Sequence, residues 1–219
     1  MAGGTLGRRF WTLWSALSSS NLGDGFTLVA FPLLAVSLTD DARLVTLVAA
    51  FRFLPFFVVG LPAGVIIDRF DRRRLAMLAQ AVRSAALIAV ALATLAGQAS
   101  IALLAGAAFV VGVGEVLIDG GLPAVVRDVV DTEQLELANS RLRASETVTN
   151  QFIGPPLGAL LFQVDPSLPF FVAVGLYIGC NLLLVALRGS FVPDADPDEG
   201  GFLDQIKRGL AYVLSLIHI

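Results

Sequence analysis

The 219-residue chain is short of the residues that do chemistry in water. It has one cysteine (Cys180), one histidine (His218) and one lysine (Lys207) beside fourteen arginines. Cys180 lies in an apolar run with no second cysteine to pair with, which marks it as a small buried hydrophobe. The sequence holds no metal-ligand spacing and no nucleophile beside a general base. It also lacks the G-x-x-x-x-G-K-[ST] loop that cradles a nucleotide, so ATP is not the energy source within this chain. The expectation is a protein that is not an enzyme and carries no cofactor and no resident metal. Charge is scarce as well. Charged residues make up 15% and the net charge is −3, where a soluble domain carries about 25%. No nucleic-acid partner is expected from that balance.

What fills the chain is apolar sequence. Hydrophobic residues reach 56% and mean hydropathy is +0.80, more apolar surface than one soluble core hides. A lipid bilayer is the partner that such a composition demands. A hydrocarbon core of about 30 Å takes about 20 apolar helical residues. Six segments qualify, at about 12–38, 43–67, 73–97, 100–126, 138–163 and 168–188. Thr39 to Asp41, Gly97 to Ser100 and Asp165 to Pro169 read as tight turns between neighbours. The first segment is not a signal peptide: it is too long, it holds Asp24 and it lacks a small-residue cleavage site.

The basic residues set the orientation. Arg8 and Arg9 precede span one, Arg69, Arg72, Arg73 and Arg74 separate spans two and three, and Arg127, Arg141 and Arg143 surround the four–five loop. Arg188, Lys207 and Arg208 follow span six, and Arg43 alone falls on the opposite side. The positive-inside rule predicts a multi-pass protein of the cell membrane with both ends of this chain in the cytoplasm. Trp11 and Trp14 read as anchors at that interface. Phe51, Phe53, Phe56 and Phe57 read as packing or lipid-facing groups, with a greasy pocket as the other reading.

The two–three loop is more specific than its charge. Gly64, Ile66, Asp68, Arg69, Arg72 and Arg73 fit G-x-[LI]-x-D-R-x-x-R-R. That pattern resembles the loop signature of the major facilitator superfamily, with Asp71 in place of its second glycine. The spelling "DRFDRRR" resembles the exporter branch related to enterobactin and macrolide efflux proteins. The resemblance implies an all-α membrane protein: six transmembrane helices forming one half of the superfamily fold as two inverted three-helix repeats. It also implies a cytoplasmic gate, in which Asp68 meets a helix N-terminus of the second half. Arg72 would pair with an acid at the end of span four, for which Asp128 is the candidate. A carboxylate suits a helix N-terminus, and Gly64 would let two helices approach closely. A plain topological anchor is the alternative reading of the loop.

In span five, Gly154, Pro155 and Gly158 form G-P-x-x-G. This resembles the superfamily's antiporter motif, with Asn150 at its first glycine and Ala159 at its last, and it implies export by exchange. A generic packing kink would use the same residues. Repeat traces accompany it: "SNLGDGF" and "GVGEVLIDGG" in spans one and four, "GLPAG" and "GPPLG" in spans two and five.

Charges inside the spans mark a pathway. A mid-membrane charge costs about 2.5–3.5 kcal/mol on insertion scales. Arg52 and Arg83 lie about ten residues into their spans, roughly 15 Å deep. Asp24 is as deep, Glu115 and Asp119 share a face of span four, and Glu146 sits nearer the cytoplasm with Asn150 a turn further on. Four acids face two arginines. An acid without a partner in low dielectric favours its protonated form, so Asp24, Glu115 or both are expected to carry a coupling proton, with Arg52 or Arg83 as partners. The competing reading makes Asp24–Arg52 or Arg83–Glu115 fixed pairs that hold helices in register. Span four carries acids where many superfamily antiporters carry an arginine.

Residues 1–188 thus read as a six-helix bundle and 189–219 as a cytoplasmic linker with the start of a surface helix. "SFVPDADPDEGG" (190–201) is the linker. The resemblance implies a second six-span half, making this chain an amino-terminal half or fragment; six spans pairing as a homodimer is the other arrangement. The expected function is secondary active transport, as proton-coupled efflux of a hydrophobic small molecule, drug-like or siderophore-like. A uniporter or importer of the same fold, or a truncated protein that does not transport, remain the alternatives.

Overall fold

Helices start where the sequence offers caps and stop where it offers turns. The computed structural model describes residues 6–187 together with Gly189, Phe191 and Val192. The first helix, α1 (Arg8–Leu38), ends at extended Thr39. Asp41 then accepts the Arg43 N–H at 2.9 Å and opens α2 (Ala42–Val58). A short α3 (Gly60–Arg69) leads to the charged loop. Asp71 caps α4 (Arg72–Leu95) by accepting the Arg74 N–H. This is a physical reason for an aspartate at that position, because a cap oxygen satisfies an orphan N–H. Gly97 adopts φ +66°, a conformation that favours glycine, and Ser100 caps α5 (Ile101–Val125). After two short 3₁₀ turns come α6 (Leu135–Glu146), a π-helical stretch (Thr147–Ile153), α7 (Gly154–Val164) and α8 (Leu168–Ala186). In the α7–α8 turn, the Ser167 hydroxyl and amide both donate to Asp165 and hold its carboxyl below the usual range.

α1, α4, α5 and α8 are each long and apolar enough to cross a membrane; α2 with α3 makes a fifth span bent by 63°. The bend is not visible as a break in hydrophobicity. Pro62 cannot donate to the Val58 carbonyl and its ring crowds that carbonyl, so the helix cannot run straight through. The expected fifth span is unbroken helix from Leu135 to Val164 but is built in three pieces, none long enough alone. Pro155 and Pro156 remove the donors that would serve Gln151 and Phe152. The turn before them widens, and the Gly154 N–H reaches back five residues to Thr149. Arg188, the 190–201 linker apart from Phe191 and Val192, and the expected surface helix lie outside the described residues.

Two apolar clusters sandwich a polar layer. One joins Phe31, Leu34, Val48, Leu87, Leu104 and Phe170. The other, at the arginine-loop end, joins Phe10, Leu13, Leu122, Val125, Leu184 and Phe191. Between them lie Ser20, Asp24, Thr27, Gln80 and Arg83, all buried. The outside is apolar too: Phe57 is 85% exposed and Phe152 70%. Such a surface is a liability in water and ordinary against lipid or another apolar partner. Phe53 and Phe56 also face outward, while Phe51 stacks edge-on against Phe109. The tryptophans do more than sit at an interface. The Trp14 indole N–H donates to the Arg141 carbonyl at 3.3 Å, and the Arg141 guanidinium lies over Trp11, so together they tie α6 to α1.

Candidate functional site

Arg83, from the middle of α4, is fully enclosed. Its Nη2 pairs with Asp24 of α1 and donates to the Tyr177 hydroxyl of α8 at 2.6 Å. The Tyr177 hydroxyl donates in turn to the same Asp24 oxygen at 2.6 Å. Nη1 donates to Gln80 at 3.1 Å, and Gln80 donates to Ser20 at 2.6 Å. The guanidinium also lies 4.2 Å over the Tyr177 ring, within cation–π range. Space for it comes from Gly114 of α5, where a β-carbon would run into the Arg83 side chain.

Arg52 of α2 pairs with Glu115 of α5 at 3.1 Å, with both side chains nearly buried. Its Nη1 donates to Thr27 at 3.1 Å, and Thr27 donates to the Asp24 carbonyl at 3.0 Å. The two ion pairs thus join through Thr27 into one polar chain across α5, α2, α1, α4 and α8. The fixed pairs of the competing reading, Asp24 with Arg52 and Arg83 with Glu115, are exchanged. Depth along each span is the same for both arginines, and both helices pack against α5, α4 also against α8 and α2 also against α1. Adjacency therefore does not choose the partner, and the rotation of each helix about its axis does.

Asp119, one turn beyond Glu115, has no ion pair or hydrogen bond among the described residues. It opens into a cavity of about 330 Å³ that Asn21, Asn139, Leu142, Arg143 and Glu146 also line. Arg143 holds Glu146 at 2.8 Å on the rim, with Arg143 largely exposed. The charges in the field of Asp119 are Glu115, Arg83, Glu146 and Arg143. Three of the four acids are therefore matched to arginines, and Asp119 is the acid left open.

The charged loop departs from expectation at Arg72. Arg72 lies 3.8 Å from Asp68 and pairs with it, not with Asp128. Asp128 ends a 3₁₀ turn, and Asp68, at the end of α3 and four residues before Arg72, lies within its reach. A β-carbon at Gly64 would meet nothing within 4 Å, so among the described residues no helix approaches there. Asp68 is largely exposed and Arg69 lies on the surface. Arg73 donates to the Leu187 carbonyl and covers the Phe191 ring. The Arg72 N–H donates to the Phe191 carbonyl at 3.2 Å, and the Phe191 N–H to Asp71 at 3.3 Å. The loop thus grips the chain leaving α8.

The Gly-Pro stretch packs on α1. A β-carbon at Gly154 would sit 2.6 Å from the Gly25 Cα, and one at Gly158 2.9 Å from the Phe26 Cα. Pro155 stands in the first turn of α7, directly after the π-helical stretch that its missing N–H helps to widen. Asn150 presents its carbonyl to Gly25; the glycine absent from span five is supplied by span one. Sequence reasoning missed Tyr177, Gln80, Ser20 and Thr27 in the buried chain, and Asn21 and Asn139 in the cavity. Gln80 stands three residues from Arg83, a helical neighbour that could have been flagged; Tyr177 sits in an apolar run with no local cue.

Apolar spanning helices, mid-bundle ion pairs, an arginine loop at one end and a small-residue seam between the first and fifth spans are the parts of a multi-pass membrane protein. The family model described as transmembrane secretion effector matches residues 7–218, and the chain belongs to that family of the major facilitator superfamily. It is 29% identical over 223 residues to the multidrug efflux pump Tap of Mycobacterium tuberculosis (strain ATCC 25618 / H37Rv), covering 96% of this chain and 52% of that protein. It is 28% identical over 214 residues to Tap of Mycolicibacterium fortuitum, covering 92% and 51%. Macrolide efflux protein A of Streptococcus pyogenes is 22% identical over 208 residues, covering 93% and 50%. The chain spans about half the length of the curated relatives it matches.

Proposed function

We propose that the protein is a proton-coupled secondary exporter of hydrophobic small molecules. It works in the cell membrane with the arginine loop and both ends of the described bundle toward the cytoplasm, and together with a second six-helix half. The relatives named as multidrug and macrolide efflux proteins support the direction and the kind of cargo. One observation carries the coupling: Asp119 is the unneutralised acid, in an open polar cavity, one turn from the Arg52–Glu115 pair. Asp24 and Glu115 can exchange a proton only when their arginines let go. Asp119 needs no such step and can hold a proton or a substrate in turn. The Asp24–Arg83 and Arg52–Glu115 pairs then serve as the framework whose opening relays the change of state between spans. The Gly154-Pro155-Gly158 seam against α1 and the Asp68–Arg73 loop supply the moving contacts.

The test is substrate-driven proton flux in proteoliposomes of the full-length protein. Asp119→Asn is expected to abolish the flux while the protein still folds. Asp24→Asn and Glu115→Gln are expected to reduce flux and thermal stability together. Unchanged flux in all three variants overturns the proposal.

A further inference from the structure

Two neighbouring cavities on the outer face, one of them against the charged loop, run into each other. The first, about 320 Å³, lies against the charged loop and is lined by Arg69, Phe70, Asp71, Arg74, Leu75 and Leu78, with Val192. The second, about 280 Å³, is almost wholly apolar and lies between α4 and α5. Leu75 and Leu78 line both. From there the groove follows α4 to Val82 and α5 from Leu117 back to Phe109, roughly 12 Å at the helical rise. Its lining includes the small residues Ala79 and Gly114. Phe51 of α2 stacks on Phe109 at the deep end.

We infer that this continuous groove is a binding site for one anionic phospholipid, with its phosphate headgroup at Arg69 and Arg74 and one acyl chain laid between α4 and α5. Every lipid-facing helix meets acyl chains; here an indented apolar track begins at a cationic rim, which is the charge order of an anionic lipid. Residues 68–74 carry four arginines against two aspartates. The Asp71 carboxylate at the rim is already engaged by the N–H groups of Arg74 and Phe191. Arginine presents a planar fork that matches a phosphate with two hydrogen bonds, and anionic lipids concentrate at basic segments beside the membrane. Because Arg72 and Arg73 of the same loop grip the chain leaving α8, a lipid held at the rim fastens the loop in that arrangement.

The experiment is native mass spectrometry of the purified full chain titrated with dioleoyl phosphatidylglycerol or dioleoyl phosphatidylcholine. The wild type is expected to retain one phosphatidylglycerol under conditions that strip phosphatidylcholine. Arg69→Gln with Arg74→Gln is expected to weaken phosphatidylglycerol retention roughly tenfold or more, the scale of two arginines facing anionic lipid, and to remove the preference. Val113→Phe, which fills the track without touching the rim, is expected to weaken retention of both lipids. Phosphatidylglycerol held as tightly by both variants as by the wild type overturns the site. Displacement of the lipid by inorganic phosphate alone also overturns it, in favour of a small-anion site.

Discussion

Arg83–Asp24 and Arg143–Glu146 are the same chemical pair in two settings. The first is sealed among α1, α4 and α8, with the Arg83 side chain at 0% exposure; the second sits on α6 with the Arg143 side chain 78% exposed. Inside, the cost of removing two charges from water is offset only if nearly every donor and acceptor finds a partner. Gln80 and Tyr177 serve that end, leaving Nε of Arg83 without one. On the rim, water and salt screen the pair, and neither group needs the other to remain charged. Burial makes one pair a constraint on the fold, while exposure leaves the other free to rearrange beside Asp119.

The contrast breaks first at Arg83. Arg83→Leu leaves the Asp24 carboxylate enclosed without a cation, and removing one partner of a buried pair costs about 3–5 kcal/mol. A large drop in melting temperature in detergent is the expected readout, with most of the loss recovered in the Asp24→Leu, Arg83→Leu double variant. A single variant that melts with the wild type would show that the pair does not constrain the bundle. The next effect is steric. Gly25→Ala brings a β-carbon to 2.6 Å from the Asn150 carbonyl, with backbone on both sides. Overpacking of this kind costs about 1–3 kcal/mol. Gly106→Ala, where nothing lies within 4 Å, is the matched control and should leave the melt unchanged. The smallest effect belongs to the rim: Glu146→Gln should shift stability by about 0.3–0.5 kcal/mol, the range of exposed helical pairs, and the shift should vanish at high salt. A shift as large as that of Arg83→Leu would erase the distinction between the two settings.

Much of this was legible beforehand. The run of apolar segments, the turns at Thr39, Gly97 and Asp165, and the loop motif at Asp68–Arg73 all follow from local composition and spacing. The two Gly/Pro stretches mark the two irregular spans, a bend at Pro62 and a π-helical turn before Pro155, although their form was not readable. Partners across helices were another matter. Asp71 looked like a departure from a motif and is a helix cap that also receives the Phe191 N–H. Arg52 and Arg83 were recognised as deep charges, but their acids were left open, and the fixed pairs that the competing reading named are the exchanged ones.

By itself the sequence determined where the apolar segments lie, how deep each charge lies in its segment, and that Glu115 and Asp119 share one face. Those are one-dimensional facts, set by the 3.6-residue period and the helical rise. Only the tertiary structure decided that Glu115 meets Arg52 while Asp119 meets open space. Which face a neighbouring helix presents depends on the order and rotation of helices around the bundle, and no spacing along one chain segment encodes that.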